Sequence, residues 1–175
     1  MHILKNENIL KGSFTKEDFE HKCFLAEPGT DPKKDFIEAL LNCISSEGSV
    51  IVYNKAFENR ILKEEALQFP QYADEIENIQ NRMVDLMSPF RSKYYYVAAM
   101  KGSYSIKDVL PALVPELNYD ELPINNGGSA SQEYYQLQFE NDLKKIEEIK
   151  KQLLDYCELD TWAMVKLLEK LNAQK

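Results

Sequence analysis

In the last part of the chain Ile146, Ile149, Leu153, Cys157, Met164, Leu167, Leu168 and Leu171 recur at helical spacing, the pattern of a helix that buries one face. It predicts one long final helix from Asn141 to Leu171. Ser49 to Tyr53 is a continuous run, rich in β-branched residues and bounded by Gly48 and Asn54, which suits a strand buried on both faces. Met83 to Met87 reads as a second buried strand. Between them Lys55 to Phe69 predicts a helix with Asn54 at its N-cap and Phe57, Ile61, Leu62, Ala66 and Phe69 on its inner side. Pro70 ends it, and Tyr72 to Ile79 is a further helical segment. Upstream, Met1 to Leu4 and His21 to Ala26 read as short strands on either side of a polar turn at Lys5 to Gly12. Asp31 is placed to cap a helix that buries Phe36, Ile37, Leu40, Leu41 and Ile44, with Gly48 closing it. Ser105 starts a short helix that Pro111 kinks or ends, and Ser129 starts another after the turn at Asn125 to Gly128. Helices alternating with strands predict an α/β domain, and no linker divides the chain, so residues 1–175 form one domain.

One residue breaks the apolar stripe of the final helix. Asp160 lies one heptad after Leu153 and one before Leu167, so a helix that buries those leucines also turns this carboxylate inward. A buried carboxylate needs a hydrogen bond, a proton or a cation. Tyr156 sits one turn earlier on the same side. Two readings follow. In one, Asp160 pairs with a basic or hydroxyl group and Tyr156 is packing. In the other, the phenol and carboxylate orient a water and hold a metal ion.

Composition narrows the class without choosing between these. With 44% hydrophobic and 29% charged residues the chain is an ordinary globular protein. A net charge of -8 argues against an unspecific nucleic-acid coat. Cys23, Cys43 and Cys157 are widely spaced, and with His2 and His21 they form no metal-ligand spacing. No apolar run approaches membrane-spanning length, so no membrane contact is expected and a reducing cytoplasm is the default. Against the acidic background, Leu86 to Lys107 holds no acid; Arg91, Lys93, Lys101 and Lys107 are interleaved there with Phe90, Tyr94, Tyr95, Tyr96 and Tyr104. Cations track phosphates and aromatic faces stack bases. The segment is therefore, together with Asn54, the candidate for binding single-stranded DNA or RNA, its alternative being a surface loop whose tyrosines cover the core.

Tyr156 and Asp160, spaced Tyr-x-x-x-Asp, resemble the third motif of the tyrosine subgroup of DEDD-type 3'-5' exonucleases, which have a ribonuclease H-like fold. Asn54-Lys55-Ala56-Phe57-Glu58 after the predicted strand resembles their second motif, with Glu in place of Asp. Taken alone, Glu58 needs no more than the favourable helix dipole of a first turn, about 0.3 to 1 kcal/mol. Asp85 resembles the acid on the neighbouring strand, whose role there is commonly structural. In order, the pieces YNKAFE, RMVDLMSPFR, GSYSIKDVLPALVPEL, NNGG and YCELDT are also similar to a bacterial family of unknown function within that fold. The resemblance implies a mixed sheet flanked by helices and two-metal hydrolysis of a phosphodiester. Asp160 and Glu58 would be ligands of Mg2+ or Mn2+, which as hard cations take carboxylate oxygens, and Tyr156 would position the water. The two carboxylates are expected to converge across a cleft.

The first motif of those enzymes, Asp-x-Glu on a central strand, has no strand-borne match. Asp18-Phe19-Glu20 fits the letters, but in so charged a setting it reads as a solvated face. The sequence therefore predicts an N-terminally truncated nuclease domain with half a metal site, inactive as this chain. The alternative is a non-catalytic nucleic-acid- or protein-binding module of degenerate nuclease fold. A missing central strand also predicts an open edge beside Val50 to Tyr53, filled by another segment or by a second copy in a homodimer.

Overall fold

The computed structural model describes residues 1–5 and 13–173 and is a mixed α/β structure with two small sheets. Strand β1 (His2–Leu4) pairs antiparallel with β2 (Phe19–His21), with Ile3 opposite Glu20. Helix α1 (Lys33–Cys43) leads to β3 (Val50–Val52). Helices α2 (Lys55–Gln68) and α3 (Ala73–Asn81) then return the chain to β4 (Met83–Asp85). β3 and β4 are parallel, Ile51 lying opposite Val84, as a strand–helix–strand crossover requires. After the short α4 (Ser88–Arg91) come α5 (Ile106–Leu113), α6 (Gly127–Leu137) and the long α7 (Leu143–Asn172).

The apolar side chains form three clusters. The largest gathers α5 and α6 against one side of α7 through Val109, Leu110, Leu137, Leu153, Ala163 and Leu167. A second, of Ile37, Val52, Leu62, Ile76, Ile79 and Met83, joins α1, α2 and α3 to the parallel strands. The third is small: Trp162 and Val165 of α7 meet Phe14, with Phe19 of β2 packed against them. α7 thus contributes to two clusters.

Several boundaries differ from the predicted ones, for tertiary reasons. The second strand is Phe19–His21 rather than His21 to Ala26, because Phe19 is drawn into the cluster with Phe14 and Trp162. Phe19 and Glu20 therefore enter the strand while Asp18 ends the 3-10 turn before it, and Glu20 is exposed as a solvated face requires; Asp18 accepts from the Thr15 N–H at 2.9 Å. The polar turn read at Lys5 to Gly12 lies, from residue 6 on, outside the described residues. α1 ends at Cys43, before Gly48, whose φ of +86° belongs to the turn into β3. α6 begins at Gly127 and not at Ser129, because the Asn126 side chain caps it by accepting from the Ser129 N–H.

α2 is rotated from its predicted phase. Its buried positions are Leu62 and Glu65, so Phe57, about 100° per residue out of step, is 53% exposed with the Arg60 guanidinium over its ring. Glu58, at i−4 from Leu62, takes the inward side instead. Cys157, expected in the α7 stripe, is likewise exposed. In the turn before β3, Arg82 donates to the carbonyls of Ser45, Glu47 and Gly48. Among the described residues no helix is long and apolar enough to cross a membrane.

Candidate functional site

Asp160 faces inward on α7, as the heptad spacing predicts. Its Oδ1 accepts a 2.7 Å hydrogen bond from the Tyr119 hydroxyl, and the Tyr156 phenol is a second hydrogen-bonding neighbour of the same carboxylate. Burial raises the Asp160 carboxyl above its ordinary value, while the two phenols and the charge of Lys107 pull it back. Burial in turn raises both phenols, and the Asp160 charge adds to it. The two rings lie 6.0 Å apart, and the Tyr156 hydroxyl is close against Gly127 at the start of α6. Tyr119 has no signal in the sequence, since it sits alone in a turn. Its buried position is decided by α5 and α7 closing over it.

The second acid is in a different state. Glu58 stands in the first turn of α2, after the C-terminal end of β3. Its Oε2 is enclosed and has no hydrogen-bond partner among the described residues. Burial pushes the carboxyl up to about 7, its own backbone N–H opposing and the charge of Asp85 adding to the rise. Asp85, at the end of β4, accepts from the backbone N–H groups of Asn54 at 3.1 Å and Met87 at 3.0 Å. That is the structural role expected of it: it ties the ends of the two parallel strands. The charge that Glu58 feels is that of Asp85, and the groups acting on Asp160 are Tyr119, Tyr156 and Lys107. The structure therefore brings Tyr156 and Asp160 together.

An open cleft of about 580 Å³ is lined by Tyr53, Asn54, Met87, Ser103, Tyr104, Ser105 and Ile106, and neither acid is among its lining residues. Asn54 stands at the predicted N-cap position but does not cap. Its φ of +78° is left-handed and its carboxamide makes no cap bond, whereas capping needs extended backbone. The Tyr53 hydroxyl donates to the Tyr104 carbonyl at 2.7 Å, tying the cleft's far wall to β3. Of the basic and aromatic segment, Phe90 is buried and Tyr95 packs on the same core with its ring edge-on to Phe90. Tyr95 is thus half committed to packing. Arg91, Lys93, Lys101 and Lys107 are exposed, as is Tyr94 at 89%. Lys93 and Lys101 adopt left-handed backbone at the turns that shape this segment.

Among the described residues no three His, Cys, Asp or Glu side chains gather to hold a metal ion. Asp160 is held by two phenols and Asp85 by two backbone N–H groups, so these residues do not by themselves fit a divalent-metal centre.

Over residues 1–105 the sequence matches the family described as a domain of unknown function, DUF2779. The chain belongs to that family. The DUF2779 match takes in Glu58, Asn54, Asp85 and most of the cleft, and it stops before α7. The chain is also 32% identical over 158 residues to an uncharacterised protein, UU173, of Ureaplasma parvum serovar 3. That alignment covers 77% of this chain and 23% of the Ureaplasma protein, so the chain spans about a quarter of the length of the curated relative it matches. No solved structure matches the chain.

Proposed function

We propose that this DUF2779 chain is the substrate-holding part of a ribonuclease H-like, 3'-5' exonuclease-type domain that acts on single-stranded nucleic acid, and that it does not cleave by itself. The observation that carries this reading is Glu58, a carboxylate with an enclosed oxygen that nothing among the described residues satisfies. Native proteins leave few buried polar atoms unpaired, so an orphan of this kind calls for a partner.

The strand arrangement supports the same reading. In β3, the Val50 N–H and the Val52 C=O are turned to β4, bonding Arg82 O at 3.0 Å and Leu86 N at 2.8 Å. In a parallel ladder the intervening residue, Ile51, points its N–H and C=O to the opposite edge, where no strand pairs among the described residues. A strand along that edge joins the parallel pair to a larger mixed sheet. An Asp-x-Glu strand there would add two carboxylates to Glu58 and Asp160, the acids that the resemblance assigns to an Mg2+ or Mn2+ site. A second reading is favoured by the way Tyr119 and Tyr156 already occupy Asp160: a binding module that has kept the fold without the chemistry.

One experiment separates them. A longer form of the protein carrying an upstream Asp-x-Glu strand is assayed on single-stranded DNA and RNA with Mg2+ or Mn2+, beside the 175-residue chain. The expected result is cleavage by the longer form, lost in Asp160→Asn, and binding without cleavage by the short one. Binding by both forms with no cleavage by either selects the binding module. Cleavage by the short chain that disappears in Asp160→Asn refutes the half-site.

A further inference from the structure

The cleft carries more chemistry than a passage for phosphates needs. One wall is the ring of Tyr104, 47% exposed, with its backbone pinned by Tyr53. Met87 and Ile106 add apolar lining. Two lining residues carry polar side chains with no hydrogen-bond partner among the described residues: Asn54 and Ser105, the latter at the start of α5 without capping it. Asn54 is held in its left-handed conformation by Asp85 on its N–H. Non-glycine residues are kept in that region only where the surroundings hold them, and such places concentrate at ligand sites. The exposed ammonium groups of Lys101 and Lys107 stand on either side of the Ser103 to Ile106 wall in sequence.

An aromatic face, apolar lining and a free amide edge together fit a planar heterocycle with hydrogen-bonding groups on its rim. The volume of about 580 Å³ is that of a small-molecule pocket and accommodates one nucleotide. A carboxamide offers one donor and one acceptor side by side, the pair that adenine matches bidentately. We infer that this cleft is a base seat, in which one adenine of a single strand stacks on Tyr104 and is read by Asn54. The inference rests on the nucleic-acid reading above and adds to it a preference among bases that the loop's charges cannot supply.

The test is fluorescence anisotropy of the 175-residue chain with short labelled homopolymers of adenylate, cytidylate and thymidylate at low salt. The adenylate strand is expected to bind tightest. Tyr104→Ala should weaken it roughly ten-fold, the loss of one stacked base, while Tyr104→Phe retains affinity. Asn54→Gly removes the amide at a backbone conformation glycine adopts freely, and should lower adenylate binding to the thymidylate level. Unchanged affinity in Tyr104→Ala, with binding still lost in the Arg91, Lys93 and Lys101 to Ala variant, overturns the base seat and leaves the nucleic-acid reading standing. No binding of any homopolymer by the unaltered chain overturns both.

Discussion

The two acids that the sequence singles out turn inward on different helices, both half-buried, and end in opposite conditions. On α7, Asp160 enters the largest core together with the phenols that neutralise its cost, Tyr119 from the turn after α5 and Tyr156 from its own helix. On α2, Glu58 is carried inward by the phase of the helix, and the nearest charge that acts on it is another acid, Asp85. The difference teaches that burial alone does not mark a site: Asp160 is as enclosed as a structural residue and is satisfied like one. The enclosed Oε2 of Glu58 has no hydrogen-bond partner among the described residues, a condition that Glu65 Oε2 shares on the same helix.

That contrast can be broken most severely at Asp160. Asp160→Ala strands the Tyr119 hydroxyl in the core, and stability should fall by about 3 kcal/mol, the cost of unpaired buried polar groups plus a small cavity. A urea melt that shows no loss would mean the carboxylate is not holding the turn after α5. Tyr119→Phe removes one donor to an ionised acceptor and should cost about 2 kcal/mol by the same measurement. If the two changes are independent rather than strongly coupled, the pairing is not what stabilises either residue.

Glu58→Gln should have the opposite sign. In the fold Glu58 keeps its proton up to about 7, whereas an ordinary glutamate gives it up near 4.5. Between those values the folded state binds more protons than the unfolded one, so stability declines as pH rises across this window and the loss is complete above it. Since Glu58 is only half buried, solvent screening limits the effect to about 1 kcal/mol. Glu58→Gln should therefore be more stable than the unaltered chain at pH 8 by about that amount and equal to it at pH 4. A slope that persists in the variant would assign the pH dependence to another group. Smallest of all, changing Arg91, Lys93 and Lys101 to Ala should move stability by less than about 0.5 kcal/mol, as exposed substitutions do. The same change should weaken oligonucleotide binding and flatten its salt dependence; an unchanged affinity would leave this segment as structure only.

Much of this was legible because it is periodic. Long-range heptad spacing places Asp160 and Tyr156 on the inner side of α7, and strands at Val50 to Val52 and Met83 to Asp85 are found where the apolar pattern puts them, although the second is shorter than read and Val84 in it is exposed. Phe57 and Cys157 are exposed although each lies beside an apolar stripe; a shift of one residue in helix phase exposes the first and turns Glu58 inward.

By itself the sequence determined the order and kind of the elements, the inward acid of α7 and the acid-free basic segment, because each rests on local spacing that the chain carries in itself. The tertiary structure alone decided that Tyr119 reaches Asp160 across 41 positions and that Asp85 ties down Asn54. It also decided that Asn54 and Tyr104 share one cleft. Partners of that kind are chosen by which surfaces α5, α6 and α7 bury together, and close packing settles this between segments that have no periodic relation to one another.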